Sequence, residues 1–245
     1  MVADSMSREP IPSLDSALVW LPPIEAAGLP VPRTIIVPYD HGRAMDALER
    51  SGPYLSEVAR AVFEAAQDFI GAVFVRTDLC SAKHDGPTSY RLANDDEALH
   101  VVGRTIEDAE LKLWPEAVPA AILVRQWINI AAPFSAFGGH PIGHEWRYFV
   151  SGGAVACRHY YWPQMAIKFF AGLTPPPDWP TSLLALAHST PPLDINALAL
   201  RAGLALQDRH DGWSVDFAKD DAGAWWLIDM ARAERSFHEF DDGHP

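Results

Sequence analysis

Arg125 stands inside the run Ala121-Ile122-Leu123-Val124-Arg125-Gln126-Trp127-Ile128, which is otherwise written for a protein interior. A guanidinium there is costly unless an anion, from the protein or from a ligand, meets it with matched hydrogen bonds. Arg76 closes the apolar run Ala72-Val73-Phe74-Val75 in the same way. Arg147 lies within Glu145-Trp146-Arg147-Tyr148-Phe149-Val150, and Lys83 follows Arg76 by seven residues on a loop. Three strand-borne arginines and a nearby lysine suit a polyphosphate, because guanidinium forks match phosphate oxygens. Taken singly, each arginine also fits a pair with a local acid.

The acids mirror the cations. Asp216 sits in Trp213-Ser214-Val215-Asp216-Phe217-Ala218, and Asp229 in Trp225-Trp226-Leu227-Ile228-Asp229-Met230, at comparable places in the two strands of one expected hairpin. Cross-strand neighbours on one face have Cβ atoms about 4.5–5.5 Å apart. Two carboxylates that close repel unless a cation or a proton lies between them. Magnesium, held by one or two carboxylates plus phosphate oxygens, is the natural occupant; an arginine or a helix N-terminus is the alternative partner for Asp229. Glu145 and Arg147 share one strand face and Trp146 and Tyr148 the other, with an ion pair between the two charges as the local alternative. His140 and His144 are separated by Pro141 and Gly143, which argues against a helical zinc pair. Neither a Ser-His-Asp nor a Cys-His arrangement stands out.

The elements that must position these residues read as α+β. Residues 53–70 repeat apolar side chains at helical spacing up to Gly71, and residues 104–113, 183–187 and 193–206 also read as helical. Residues 18–27 fit a short helix or an edge segment. Strands are expected at 34–37, 72–76 and 121–130. Two hairpins are expected late in the chain, one turning at Gly152-Gly153 and one at Lys219–Gly223. Residues 163–180 read as a proline-rich connection. The first dozen residues and the terminal DDGHP read as loose tails. Without a βαβ rhythm or a glycine-rich loop between strand and helix, a Rossmann fold and a P-loop are both disfavoured.

Bulk composition narrows the function class. With 245 residues, 49% of them hydrophobic, the chain can bury a sizeable core, and its net charge of −13 argues against a basic nucleic-acid surface. The two cysteines, Cys80 and Cys157, form neither a zinc motif nor a disulfide framework and are expected as buried thiols. No apolar run approaches the roughly 18–20 residues that span a bilayer, and the opening MVADSMSREPIPSLDS lacks the apolar stretch of a signal peptide. A cytoplasmic protein with no membrane partner is expected.

In chain order, FVRTDLCSAK, ILVRQWI, GHEWRYFVSGGAVACRHYY, VDFA and LIDMA resemble the catalytic part of the ATP-grasp superfamily. The similarity is greatest to the clade named for two arginines and a lysine, and to the related eukaryotic chaperone of translation-initiation-factor assembly. The segment AAGLPVPRTIIV resembles the lead into the central region of many such enzymes, so the resemblance covers about residues 28–238.

The resemblance implies two α+β lobes clamping ATP and Mg2+ between antiparallel sheets. Residues 1–27 would form a tail and leader, 28–120 the smaller lobe, and 121–240 the larger lobe with the metal hairpin. It further implies that Arg76 and Lys83 reach the phosphates with a hydroxyl from Ser81. Gln126, Trp127 and Ile128 would form a hinge whose backbone pairs with adenine, and Glu145 and Arg147 would line the nucleotide and acceptor site. Arg76, Arg125 and Arg147 would be the catalytic cations, and Asp216 and Asp229 the metal ligands. The implied activity is a carboxylate–amine ligase working through an acyl phosphate on a small molecule or peptide. The alternative is an ATP-binding assembly chaperone without turnover. One departure bears on that choice: the family's last metal strand ends acid-x-Asn, and Ala231 stands at the Asn position here, with Glu234 as a replacement candidate. The usual preceding lobe is reduced, which favours a homodimer.

Overall fold

The computed structural model of the chain describes residues 13–81, 83–113, 117–170 and 175–238. The two expected loose tails lie outside these residues. In chain order the elements are α1 (Ala17–Ala26), β1 (Thr34–Pro38), α2 (His41–Arg50), α3 (Tyr54–Ala66), β2 (Val73–Thr77), β3 (Arg91–Leu92), α4 (Asp95–Leu113) and β4 (Ala121–Gln126). They continue with β5 (Phe134–Ala136), β6 (His140–Ile142), β7 (Glu145–Ser151), β8 (Ala154–Tyr160), α5 (Gln164–Phe170), α6 (Trp179–Ala187), α7 (Leu193–Ala205), β9 (Gly212–Lys219) and β10 (Trp225–Arg232). Helix α5 corrects the reading of 163–180 as a mere connection. Helix α2 went unread, although Asp40 caps it by accepting from the Arg43 amide at 2.9 Å.

Four strands in the order β1-β4-β2-β3 form the first sheet, all neighbours antiparallel. Strand alternation sorts its side chains. Val73, Val75, Ile122 and Val124 join one apolar core with Ala44, Val58, Val62, Val102 and Ile106 from α2, α3 and α4. Phe74, Arg76 and Arg125 face the other way and line a cleft. The strand at 121–126 was expected to open the larger lobe. It instead pairs with β1 on one side and β2 on the other, so the first sheet ends at Gln126.

The second sheet has the order β10-β9-β7-β8 and contains both expected hairpins. One face, carrying Trp146, Tyr148, Val150, Trp213, Val215 and Phe217, packs on residues of α1, α6 and α7. Helix α1 therefore belongs to the second core rather than to a leader. It keeps its form with Pro22 and Pro23 inside, because Trp20, Leu21 and Ile24 are buried and Ser16 accepts from the Leu18 amide at 3.1 Å. Helix α7 reaches the sheet through Gly203, where any Cβ would overlap the Val150 side chain.

A bulge on β10 sets up the site. Phe217 pairs with Leu227 and Asp216 with Asp229, leaving Ile228 as the extra residue. Two residues apart on a regular strand, Leu227 and Asp229 would share a face. The inserted residue turns Leu227 into the core and Asp229 into the cleft.

Candidate functional site

The open faces of the two sheets bound a cleft lined among others by Phe74, Arg76, Ser81, Lys83, Tyr90, Arg125, Trp127, Glu145 and Asp229. Ionic contacts stitch the two sheets across it. Arg76 Nη1 lies 2.9 Å from Asp229 Oδ1, while its Nε donates to the Thr77 carbonyl at 3.0 Å. Lys83 Nζ donates to Glu145 Oε1 at 2.9 Å and lies 3.9 Å from the centroid of the Tyr161 ring. Burial opposes both charges, yet the adjacent carboxylates prevail and lift the Arg76 and Lys83 pKa values above their ordinary range. Glu145 is fixed from its other oxygen, which accepts from the Trp162 indole at 2.9 Å.

Arg125 is held differently. Its Nη1 donates to the Ile228 carbonyl at 2.6 Å, the group that the β10 bulge releases, and its Nε donates to Thr34 Oγ1 at 3.3 Å. Among the described residues no carboxylate pairs with it, and its Nη2 is buried without a hydrogen-bond partner. Burial, reinforced by the neighbouring Arg76 guanidinium, pushes the Arg125 pKa down to about 10. The protein thus holds a buried cation whose charge calls for an anion in the cleft.

Arg147 lies on the open face of the second sheet and, like Asp216, is not among the residues lining the cleft. It grips Asp216 with two bonds, Nε to Oδ1 at 2.8 Å and Nη2 to Oδ2 at 2.7 Å. Asp216 and Asp229 are cross-strand partners, as the sequence spacing predicts, but each carboxylate meets an arginine from another strand.

Residues 126–128 connect the sheets. The Gln126 amide donates to the Arg33 carbonyl at 2.8 Å, tying the connection to the lead of β1. Just beyond, the Asn129 carbonyl accepts from the Asp221 amide at 2.8 Å, tying it to the β9–β10 turn. Trp127 stacks parallel to Tyr90 with centroids 6.3 Å apart, and the Arg91 guanidinium lies over its ring at 5.6 Å. This aromatic corner, with Phe74 tilted 4.9 Å from Tyr90 and paired across the strands with Arg125, gives the cleft an apolar wall beside its cations. Sequence reasoning missed Tyr90 and His140 as cleft residues, since neither lies in a run that marks it. Cys80 and Cys157, expected buried, are half-buried, Cys157 Sγ lying 2.9 Å from His238 Nε2.

His140 yields a pH prediction. Its Nδ1 lies 2.6 Å from the Tyr90 hydroxyl, and burial, with Lys83 and His84 adding repulsion, holds its pKa well below the ordinary value. Below about pH 6.5 the unfolded chain binds a proton that the folded state refuses, so stability is full above that pH and lost as pH falls beneath it. Thermal melts from pH 7.5 to 5 should fall more steeply for the wild type than for His140→Asn, and parallel slopes would rule out this histidine as a source.

Residues 84–237 match the model for the ATP-grasp domain of the clade named for two arginines and a lysine, family 3. The chain belongs to this ATP-grasp family. Cdc123 from Schizosaccharomyces pombe superposes with a TM-score of 0.54 at 13% identity, covering 91% of this chain and 85% of that one. D-cycloserine synthetase DcsG gives 0.50 at 15% identity, with 89% and 62% covered. A RimK domain ATP-grasp protein from Sphaerobacter thermophilus DSM 20745 gives 0.48 at 17% identity, with 89% and 59% covered. At these identities the likeness speaks for the fold alone, and the chain spans less than two thirds of the latter two proteins. A search of the curated proteins finds no match.

For the metal that the ATP-grasp fold implies, the two acids fit unequally. Asp229 lines the cleft with a side chain 37% exposed, so it suits a single carboxylate ligand beside phosphate oxygens. Both oxygens of Asp216 are engaged by Arg147. Among the described residues no group of three or more His, Cys, Asp or Glu is placed to hold an ion. Glu234, the candidate replacement for the missing Asn, is not among the residues lining the cleft and lies 3.4 Å from Arg232 and 3.5 Å from His210. No helix among the described residues is long and apolar enough to cross a membrane.

Proposed function

We propose that the cleft binds ATP and that the protein is an ATP-dependent carboxylate–amine ligase working through an acyl phosphate. The observation that carries this is the unpartnered, buried Nη2 of Arg125 in a cleft whose other cations are Arg76 and Lys83. A triphosphate supplies the missing anion. Arg125 and Arg76 would hold its oxygens, and Lys83, with one donor on Glu145, would turn a further donor to phosphate. Ser81 adds a hydroxyl. Phe74, Tyr90 and Trp127 would enclose the adenine, whose edge pairs with the backbone of Trp127 and Ile128; the Gln126 amide, bonded to Arg33, is already engaged.

In the reaction a substrate carboxylate oxygen attacks the γ-phosphorus, the bond to the β–γ bridging oxygen breaks, and ADP leaves. An amine nitrogen then attacks the acyl carbon, inorganic phosphate departs, and the amine loses a proton. Both steps depend on position and charge rather than on a protein nucleophile. Arg76 and Arg125 would neutralise the transferring group while Arg147 orders the acceptor side. Magnesium, with Asp229 as its protein ligand and Asp216 joining only on release from Arg147, would supply further neutralisation on the phosphates.

A second reading, an ATP-holding assembly factor without turnover, draws support from Ala231 and from the grip of Arg147 on Asp216. The two separate in one assay: protein with Mg-ATP and pools of amino acids and peptides, read as ADP released. A stimulating pool supports the ligase. ATP binding with no pool effective, together with a co-purifying protein partner, would replace it with the assembly factor.

A further inference from the structure

The open face of the second sheet continues past the cleft and is covered there by the chain itself. Along β7 that face carries Glu145, Arg147 and Phe149; the register partners of the latter two are His159 and Cys157 on β8 and Asp216 and Ser214 on β9. After β10 a short turn at Ala233–Arg235 reverses the backbone, and Ser236 resumes an extended conformation (φ −106°, ψ 139°). From there the segment lies over the face. Ser236 Oγ and Ser214 Oγ are 2.5 Å apart. The Phe237 carbonyl accepts from Arg147 Nη1 at 3.4 Å. The His238 ring lies 4.6 Å from that of Phe149, and its Nε2 meets Cys157 Sγ at 2.9 Å.

The position matters because Arg147 serves both neighbours. It holds Asp216 with two donors, lies 4.8 Å from the Tyr161 centroid, and reaches the Phe237 carbonyl with its remaining nitrogen. Tyr161 in turn carries Lys83 of the cleft. Arg147 is one strand repeat, about 7 Å, from Glu145, so whatever lies on Arg147 is next to the phosphate end.

We propose that this face is the subsite for a peptide acceptor, bound as an extended chain, and that residues 236–238 occupy it in the resting protein. The contacts combine one that any peptide can make, a main-chain carbonyl on a guanidinium, with two that read side chains, a hydroxyl on Ser214 and a ring on Phe149. A small amino acid would engage Arg147 but leave Phe149, Cys157 and Ser214 uncovered. An external peptide enters by displacing the segment. The proposal rests on the ligase reading for its chemistry, but peptide binding by itself does not.

The test compares the full chain with one ending at Arg235, using a fluorescent peptide with the sequence of residues 232–241 (RAERSFHEFD) as probe. A tethered segment competes at an effective concentration of about millimolar, so its removal should tighten the probe by about tenfold or more. A full-length Phe237→Gly/His238→Gly variant guards against a truncation that fails to fold and should tighten the probe in the same sense. ATP calorimetry on the same samples separates the two readings. ATP binding with no probe binding to either altered protein overturns the peptide subsite and leaves the nucleotide reading standing. Probe binding without ATP binding keeps the subsite and removes the ligase.

Discussion

Arg125→Met is expected to weaken ATP binding by about 10- to 100-fold while leaving thermal stability unchanged or raised by a few degrees. The two effects share one cause. Arg125 is buried in β4, has no carboxylate partner among the described residues, leaves one guanidinium nitrogen unbonded, and sits beside the Arg76 charge. In the ligand-free protein that cation is a burden, and a methionine of similar length removes it and fills the space. With nucleotide bound, the same cation gains the charge-assisted bonds that it lacks. The bond to the Ile228 carbonyl is lost in the variant, which limits the gain in stability. Calorimetry and thermal melts on one preparation read both quantities. Lower stability with unchanged ATP affinity would make Arg125 a structural residue and remove it from the site.

Arg147→Ala is expected to do the reverse, costing about 3–5 kcal/mol of stability. Asp216 is buried and takes both of its hydrogen bonds from Arg147, so truncation strands a carboxylate in the sheet. The double variant Arg147→Met/Asp216→Leu should recover most of the loss, because removing both charges leaves neither unpaired. Magnesium adds a discriminating arm. Once released from the guanidinium, Asp216 lies across the strand pair from Asp229, and the two carboxylates can share a cation. Magnesium should therefore raise the melting temperature of Arg147→Ala more than that of the wild type. Equal shifts would show that these acids do not act together on a metal, even when freed.

Much of this site was legible as charge out of place. Arg76, Arg125 and Asp229 stand out because apolar strands do not carry such residues idly, and all three line the cleft. Gly152-Gly153 marked one hairpin, and the alternation in Glu145-Trp146-Arg147-Tyr148 marked which side chains face the core. Which cation meets which anion was hidden. Arg76 reaches Asp229 and Lys83 reaches Glu145 only because two sheets distant in sequence face each other. The bulge at Ile228 was equally invisible: Leu227 and Asp229 have the spacing of a shared face, and only the pairing shows them divided. Helix α2 escaped because Gly42 and its many charges dilute the apolar repeat of Ala44, Ala47 and Leu48, while α5 hid between prolines. Helix α1, expected as a short helix or edge segment of a leader, joins the second core because its buried face outweighs the weak propensity that Pro22 and Pro23 give it.

The central claim is that the cationic cleft between the two sheets is a nucleotide site completed by an anion on Arg125. Isothermal titration of the full chain with ATP, run with magnesium and again with a chelator, tests it most directly. Saturable one-site binding that persists, weakened, without magnesium is expected, since Arg76, Lys83 and Arg125 are protein-borne while Asp229 is the acid placed to serve as metal ligand. Absence of binding under both conditions, with the protein folded, would contradict it.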